Sequence, residues 1–184
     1  LLLGNSNFAI EFLLDANYYG YIFNKNGEIG GLSTYIDQNG YMTTVAQGID
    51  IPYAPVGIAV DDSYIYFTDS FHRLIKLRKT DYSFIKQIGT TLTYASSGNY
   101  EFSNPFQVAI YGDELYVADY GNHAIKVYNK NELSFLRKYQ VSRGSNIDNL
   151  RYPRGVAVDE NFIYISDTDN HRVMVRNKSD FSYA

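Results

Sequence analysis

"YPRGVAVDENFIYISDTDNHRVMV", Tyr152 to Val175, decides the fold, because nearly the same text stands twice more upstream. "YAPVGIAVDDSYIYFTDSFHRLIKL" runs from Tyr53 to Leu77, and "NPFQVAIYGDELYVADYGNHAIKV" from Asn104 to Val127. A fourth, degenerate copy is "NFAIE" around Ala9. The anchors Ala9, Ala59, Ala109 and Ala157 recur at spacings of 50, 50 and 48 residues. A second anchor holds the same register: Asp69, Asp119 and Asp167, with Asn24 in the first copy, each preceded three residues earlier by Tyr66, Tyr116, Tyr164 and Tyr21. Self-similarity at such a period marks a repeat architecture, with one supersecondary unit per repeat.

Each unit continues with two more strand-like runs, "LIKLRK" and "SFIKQIG" in the second copy, "AIKVYN" and "SFLRKYQV" in the third, "STYID" and "YMTTVAQG" in the first. The last pair flanks Asn39-Gly40, a hairpin signal because a type I′ turn needs φ > 0 twice. Both faces of the run around Tyr66 are apolar, with Ile65 and Phe67 on one and Tyr64 and Tyr66 on the other. A sheet with one wet face would alternate with polar residues, so each small sheet needs cover on both sides. Four short antiparallel strands per unit, stacked face to face, predict an all-β chain folded as a β-propeller of four-stranded blades. One propeller domain over 1–184 is expected, with repeats at about 5–50, 51–100, 101–149 and 150–184 plus 1–4. "SYA", Ser182–Ala184, joined to "LLLG", Leu1–Gly4, has the length and pattern of "SFIKQIG". The N-terminal strand would thereby close a four-blade ring beside Val173–Arg176; the alternative is a fragment of a larger propeller.

Composition agrees. There are 19 Tyr, 11 Phe and 4 Pro, no Trp and no Cys, which removes disulfides, thiolate metal sites and a Cys nucleophile. No apolar run approaches the roughly 18 residues of a membrane span. The net charge of −4 argues against a nucleic-acid partner. That charge is uneven: residues 1–70 hold one basic residue, Lys25, against eight acids, and the remainder carries the balance of basic residues.

The quoted stretches resemble the NHL repeat, whose motif runs Pro-x-Gly-Val-Ala-Val-Asp, then Tyr-Val-Ala-Asp, then Asn-His-Arg. The fourth copy carries it in Pro153, Gly155, Ala157, Asp159, Tyr164, Asp167, Asn170, His171 and Arg172. The third has Gln107 for Gly and Ala124 for Arg, and the second has a turn one residue shorter. The resemblance implies a propeller, usually of six blades, so that the alternative becomes a fragment of a six-bladed NHL propeller. It also implies binding of proteins, RNA or small ligands at one face, with lyase or hydrolase activity in a minority.

Every His sits at one repeat position, as His72, His123 and His171. A catalytic site needs different residues converging on one point, whereas a repeated residue does one local job in each blade. Asp69, His72, Asp119, His123, Asp167 and His171 are therefore expected to tie down the turn after the second strand by hydrogen bonds to backbone. "DTDN", Asp167–Asn170, hints at a calcium loop but lacks the following Gly and the distal Glu. No nucleophile–base constellation stands out, and no catalytic residue, metal ligand or cofactor is expected.

Function is then sought where the blades differ. Val56, Phe106 and Arg154 occupy one equivalent position in the loops leading into the first strands; Phe71, Tyr120 and Asp169 lie in the turns after the second strands. An up-and-down blade puts these loops at one end. Aromatic and Arg side chains are favoured at protein-binding hot spots. The expected role is a non-catalytic binding or scaffold module for a protein or glycan partner, in an extracellular or surface-exposed setting. The alternatives are a lyase or lactonase-like enzyme with a metal in the channel, and RNA binding through Arg143, Arg151 and Arg154.

Overall fold

The computed structural model describes residues 13–14, 20–21, 33–36, 42–45, 54–80, 83–89, 97–140 and 142–184. The chain divides into two compact units, Leu1–Ile51 with Thr80–Phe84, and Pro52–Lys79 with Ile85–Ala184. All described strands are antiparallel, and the fold is an all-β propeller.

In the first unit β1 (Leu13–Leu14) pairs with β2 (Gly20–Tyr21), and β3 (Ser33–Ile36) with β4 (Met42–Val45). The second ladder brackets Asn39-Gly40, with Ile36 opposite Met42. The two ladders are separate two-stranded sheets among the described residues. Tyr21 stands opposite Leu13. Ala9, Asn24, Lys25 and the Leu1–Leu3 closure all fall outside the described residues.

The second unit carries the second, third and fourth repeats. β5 (Pro55–Val60), β6 (Tyr64–Asp69), β7 (Arg73–Arg78) and β8 (Phe84–Gly89) form one four-stranded sheet. β9 (Pro105–Tyr111), β10 (Glu114–Asp119), β11 (Ala124–Asn129) and β12 (Phe135–Gln140) form the next. β13 (Pro153–Val158), β14 (Phe162–Asp167) and β15 (Arg172–Asn177) form a third, and Tyr183 bridges Arg176 where a fourth strand would run.

The two sequence anchors turn out to be cross-strand partners: Ala59 faces Tyr66, Ala109 faces Tyr116 and Ala157 faces Tyr164. Small opposite large is what lets a blade taper toward its inner strand. The inner strands pack on one another, β9 between β5 and β13. A Cβ on Gly57 would come within 2.1 Å of the Phe106 carbonyl oxygen, so the motif glycine marks where adjacent inner strands converge. There the β5–β6 and β13–β14 ladders slip register, and a hydroxyl on the next strand takes the free amide: Gly57 N donates to Thr68 Oγ1 at 3.1 Å and Gly155 N to Ser166 Oγ at 2.6 Å. Thr68 passes the bond on to the Phe106 carbonyl of the next blade.

Blade faces bury one another. Tyr66, Leu74 and Ile88 pack on Val108, Leu115 and Val117, while Tyr116, Ile125 and Val127 pack on Val156, Ile163 and Ile165. Tyr66 and Tyr116 are 0% exposed. Tyr164, expected to be as buried, is only half-buried, and Val173 beside it is 69% exposed. The reason is positional: the Tyr face of each blade is covered by the following blade, and no described blade follows the last. Each repeated hydroxyl donates to a carboxylate of its own blade, Tyr66 to Asp61, Tyr164 to Asp159, and Tyr116 to Glu114, because Tyr111 stands where the motif has Asp. Burial raises both buried Tyr hydroxyls well above the ordinary phenol range, and Asp61 and Glu114 hold them there.

Candidate functional site

The loops that lead into the inner strands and the turns after the second strands share one end of each blade. Two kinds of structure stand side by side there.

The first kind repeats. Each motif Asp is fully buried and fully bonded. Asp119 Oδ1 accepts from Ser103 N at 2.8 Å, and its Oδ2 from Asn122 Nδ2 at 2.8 Å. Asp167 makes the same pair of bonds to Arg151 N and Asn170 Nδ2, at 2.6 and 2.8 Å. Asp69 Oδ1 accepts from Phe71 N at 3.0 Å and Arg73 N at 3.2 Å, in a turn one residue shorter. A cation closes each site: Arg73 on Asp69 at 2.5 Å, Arg172 on Asp167 at 2.8 Å and Lys126 on Asp119 at 2.8 Å. The third blade has Ala124 at the Arg position, and Lys126, two residues along the same strand face, reaches back to replace it. Burial pushes the Asp119 carboxyl up and the Lys126 ammonium down, and their ion pair opposes both shifts.

The three His all take the left-handed backbone conformation that ends the turn, with φ of 62°, 52° and 53° at His72, His123 and His171. Their side chains reach forward, not back. His72 Nδ1 accepts from Asn104 N at 2.9 Å, and His123 Nδ1 from Tyr152 N at 3.1 Å. Both donors immediately precede the motif Pro of the next blade and are themselves left-handed, at φ 49° and 54°. His72 and His123 are thus latches between consecutive blades. His171 is exposed, and no hydrogen bond to its ring is made among the described residues. Among the described residues no three of His, Asp and Glu converge as a metal site would need.

The second kind does not repeat. Val56, Ser70, Pro105, Phe106, Tyr120 and Arg154 line a cavity of about 190 Å³. Phe106 and Tyr120 pack at 4.9 Å between ring centroids, and the Arg154 guanidinium lies 5.3 Å from both. The rings continue as a ladder: Tyr120 to Tyr152 at 4.7 Å, and Tyr152 to His123 at 4.5 Å, with Arg143 over Tyr152 at 4.9 Å. Of the residues expected at this face, the structure brings together Val56, Phe106, Tyr120 and Arg154. It does not bring Phe71, which lies under Arg73 at 5.4 Å, or Asp169, which pairs with Arg151 at 3.8 Å. Tyr152 was missed by sequence reasoning, and Arg143 was named there only for the RNA alternative. Tyr152 sits in the motif stretch itself, but its partner Tyr120 is on the neighbouring blade, and no spacing within a repeat shows that.

A larger cavity of about 420 Å³ lies at the opposite end, lined by Glu114, Arg137, Glu160 and Lys178 among others. Arg137 forks onto Glu114 at 2.5 and 2.9 Å, which holds the Glu114 carboxyl below its usual range, and Lys178 lies 3.7 Å from the Tyr111 ring centroid.

Comparison with known proteins agrees with this architecture. Residues 150–175 match the NHL repeat family. No curated protein sequence matches the chain. Among solved structures, the WD40 repeats of RRP9 share 17% identity at a TM-score of 0.57 over 74% of this chain and 39% of that one. A Bacteroides fragilis NCTC 9343 protein shares 15% at 0.56, over 82% of this chain and 40% of that one. A functionally unknown protein from Desulfotomaculum acetoxidans DSM 771 shares 16% at 0.52, over 79% and 47%. The chain therefore spans less than half the length of these structures. Among the described residues no helix is long and apolar enough to cross a membrane. The chain is a β-propeller carrying an NHL repeat at residues 150–175.

Proposed function

We propose that this propeller is a non-catalytic binding module whose partner, a protein, docks on the end carrying Val56, Phe106, Tyr120 and Arg154. One observation carries the reading: a cavity walled by two aromatic rings and an exposed guanidinium, set in the part of the blades that the repeat does not dictate. Interface hot spots are enriched in Tyr, Trp and Arg seated in such pockets. A volume near 190 Å³ is below the roughly 300–1,000 Å³ of small-molecule and cofactor sites. It suits one inserted side chain. A protein partner is favoured over a glycan because the ring faces are taken up by each other and by Arg154 and Arg143. The enzyme alternative would need His, Glu or Asp on the inner strands, and among the described residues β5, β9 and β13 read PVGIAV, PFQVAIY and PRGVAV.

Small organic probes test the reading without knowledge of the partner. Titrating isotope-labelled protein with phenol and isobutanol is expected to shift amide resonances around Val56, Phe106, Tyr120 and Arg154, and Phe106→Ala is expected to abolish those shifts. Shifts centred on Glu114, Arg137 and Lys178, or on the Asp–His turns alone, would overturn it.

A further inference from the structure

Resting on that docking face, we infer that its partner is an acidic peptide segment. An apolar or aromatic side chain of the segment enters the Phe106–Tyr120 cavity, and carboxylates beside it pair with Arg154 and Arg143. The first ground is the charge state of the two guanidiniums. Arg73, Arg137, Arg151, Arg172 and Arg176 each have a carboxylate within ion-pair range. Arg143 and Arg154 have none among the described residues; each meets only aromatic rings, and both are exposed. A ring face orients a guanidinium while leaving its N–H edge open to a planar anion. Arg–carboxylate pairs use that edge, often with two parallel hydrogen bonds.

The second ground is the cavity beside Arg154 and its size, which suits a single anchor flanked by chain better than a free ligand. Nucleic acid fits less well. A single-stranded nucleic acid is held by bases on open ring faces and by a run of cations along its backbone. Here Phe106, Tyr120, Tyr152 and His123 are tilted or edged against one another, and the neighbouring Arg151 already has Asp169 within ion-pair range at 3.8 Å.

The test is selection from a random peptide library displayed on phage against the full chain, followed by titration of the winning peptides at low and high salt. Winners are expected to place Asp or Glu next to one Phe, Leu, Tyr or Trp. Arg154→Ser is expected to weaken them by about tenfold, more at low salt than at high, because a charge pair at an interface rim is screened. Phe106→Ala is expected to abolish selection with the melting curve unchanged. Neutral or basic winners that still require Phe106 would overturn the acidic-peptide inference and leave the docking face standing, as would acidic winners indifferent to Arg154→Ser. Winners indifferent to Phe106→Ala would overturn the face itself. Failure to enrich any sequence, or tighter binding of a uridine oligonucleotide in the same assay, would overturn the inference.

Discussion

Asp119 and Arg154 are charged residues at the same end of the same unit, and they live under opposite rules. Asp119 is sealed, with a lysine, an asparagine and a backbone amide on its two oxygens. Arg154 is open, resting on two rings with no acid in reach among the described residues. The first arrangement recurs in three blades even where the sequence departs from the motif, as Lys126 for Ala124 shows. The second occurs once. A lost cation is replaced to keep one site closed, while Arg154 and Arg143 have no carboxylate in reach among the described residues; the proposed division between scaffold and docking face rests on that difference.

Breaking the sealed site should have the largest effect on folding. Asp119→Ala leaves the Lys126 ammonium buried without its carboxylate and is expected to cost about 3–5 kcal/mol in denaturant unfolding. Adding Lys126→Met should return much of that loss. Lys126 Nζ also bonds the Gly98 and Glu101 carbonyls, so the recovery will be incomplete. If Asp119→Ala is neutral, the sealed site is not scaffold.

The latches come next, and they sharpen the comparison because one position occurs with and without a partner. His123→Gly removes the acceptor for Tyr152 N–H and is expected to cost about 1 kcal/mol more than His171→Gly. Gly tolerates the left-handed backbone at both sites, so the difference reads what the His123 ring does between blades, its hydrogen bond and its packing on Tyr152. Equal losses from the two variants would deny the latch.

A smaller effect follows from titration. Burial, together with the nearby Arg143 charge, lowers His123 below 6.5, while Asp119 and Asp169 pull the other way. A His depressed in the folded state takes up protons more readily when unfolded, so stability falls as pH drops below about 6.5 and is level above it. The melting temperature is expected to decline between pH 7.5 and 5.5, and His123→Gly should flatten that slope.

The repeat was legible because its anchors do local work: Ala59, Ala109 and Ala157 stand opposite Tyr66, Tyr116 and Tyr164, as equal spacing requires of equal hairpins. The compensations were harder to see. Glu114 replaces the missing Asp for Tyr116, and Lys126 replaces the missing Arg for Asp119. Strand alternation alone could have found Lys126, since residues 124 and 126 share a face. The proposed docking end was half legible. Val56, Phe106, Tyr120 and Arg154 were marked by their variation between blades, but Tyr152 and Arg143 join through contacts across the blade boundary. Phe71 and Asp169 do not line the cavity: Phe71 lies beneath Arg73, and Asp169 pairs with Arg151.

The smallest effect on folding should accompany the largest effect on binding, and one paired measurement decides the matter. Phe106→Ala is to be melted and titrated with the wild-type-selected peptide on the same sample. Its stability is expected to stay within about 0.5 kcal/mol of wild type while affinity falls by about 1–2 kcal/mol. Unchanged affinity in Phe106→Ala, with binding lost from His123→Gly at full stability, would move the working surface to the repeated turns and contradict the division between scaffold and site.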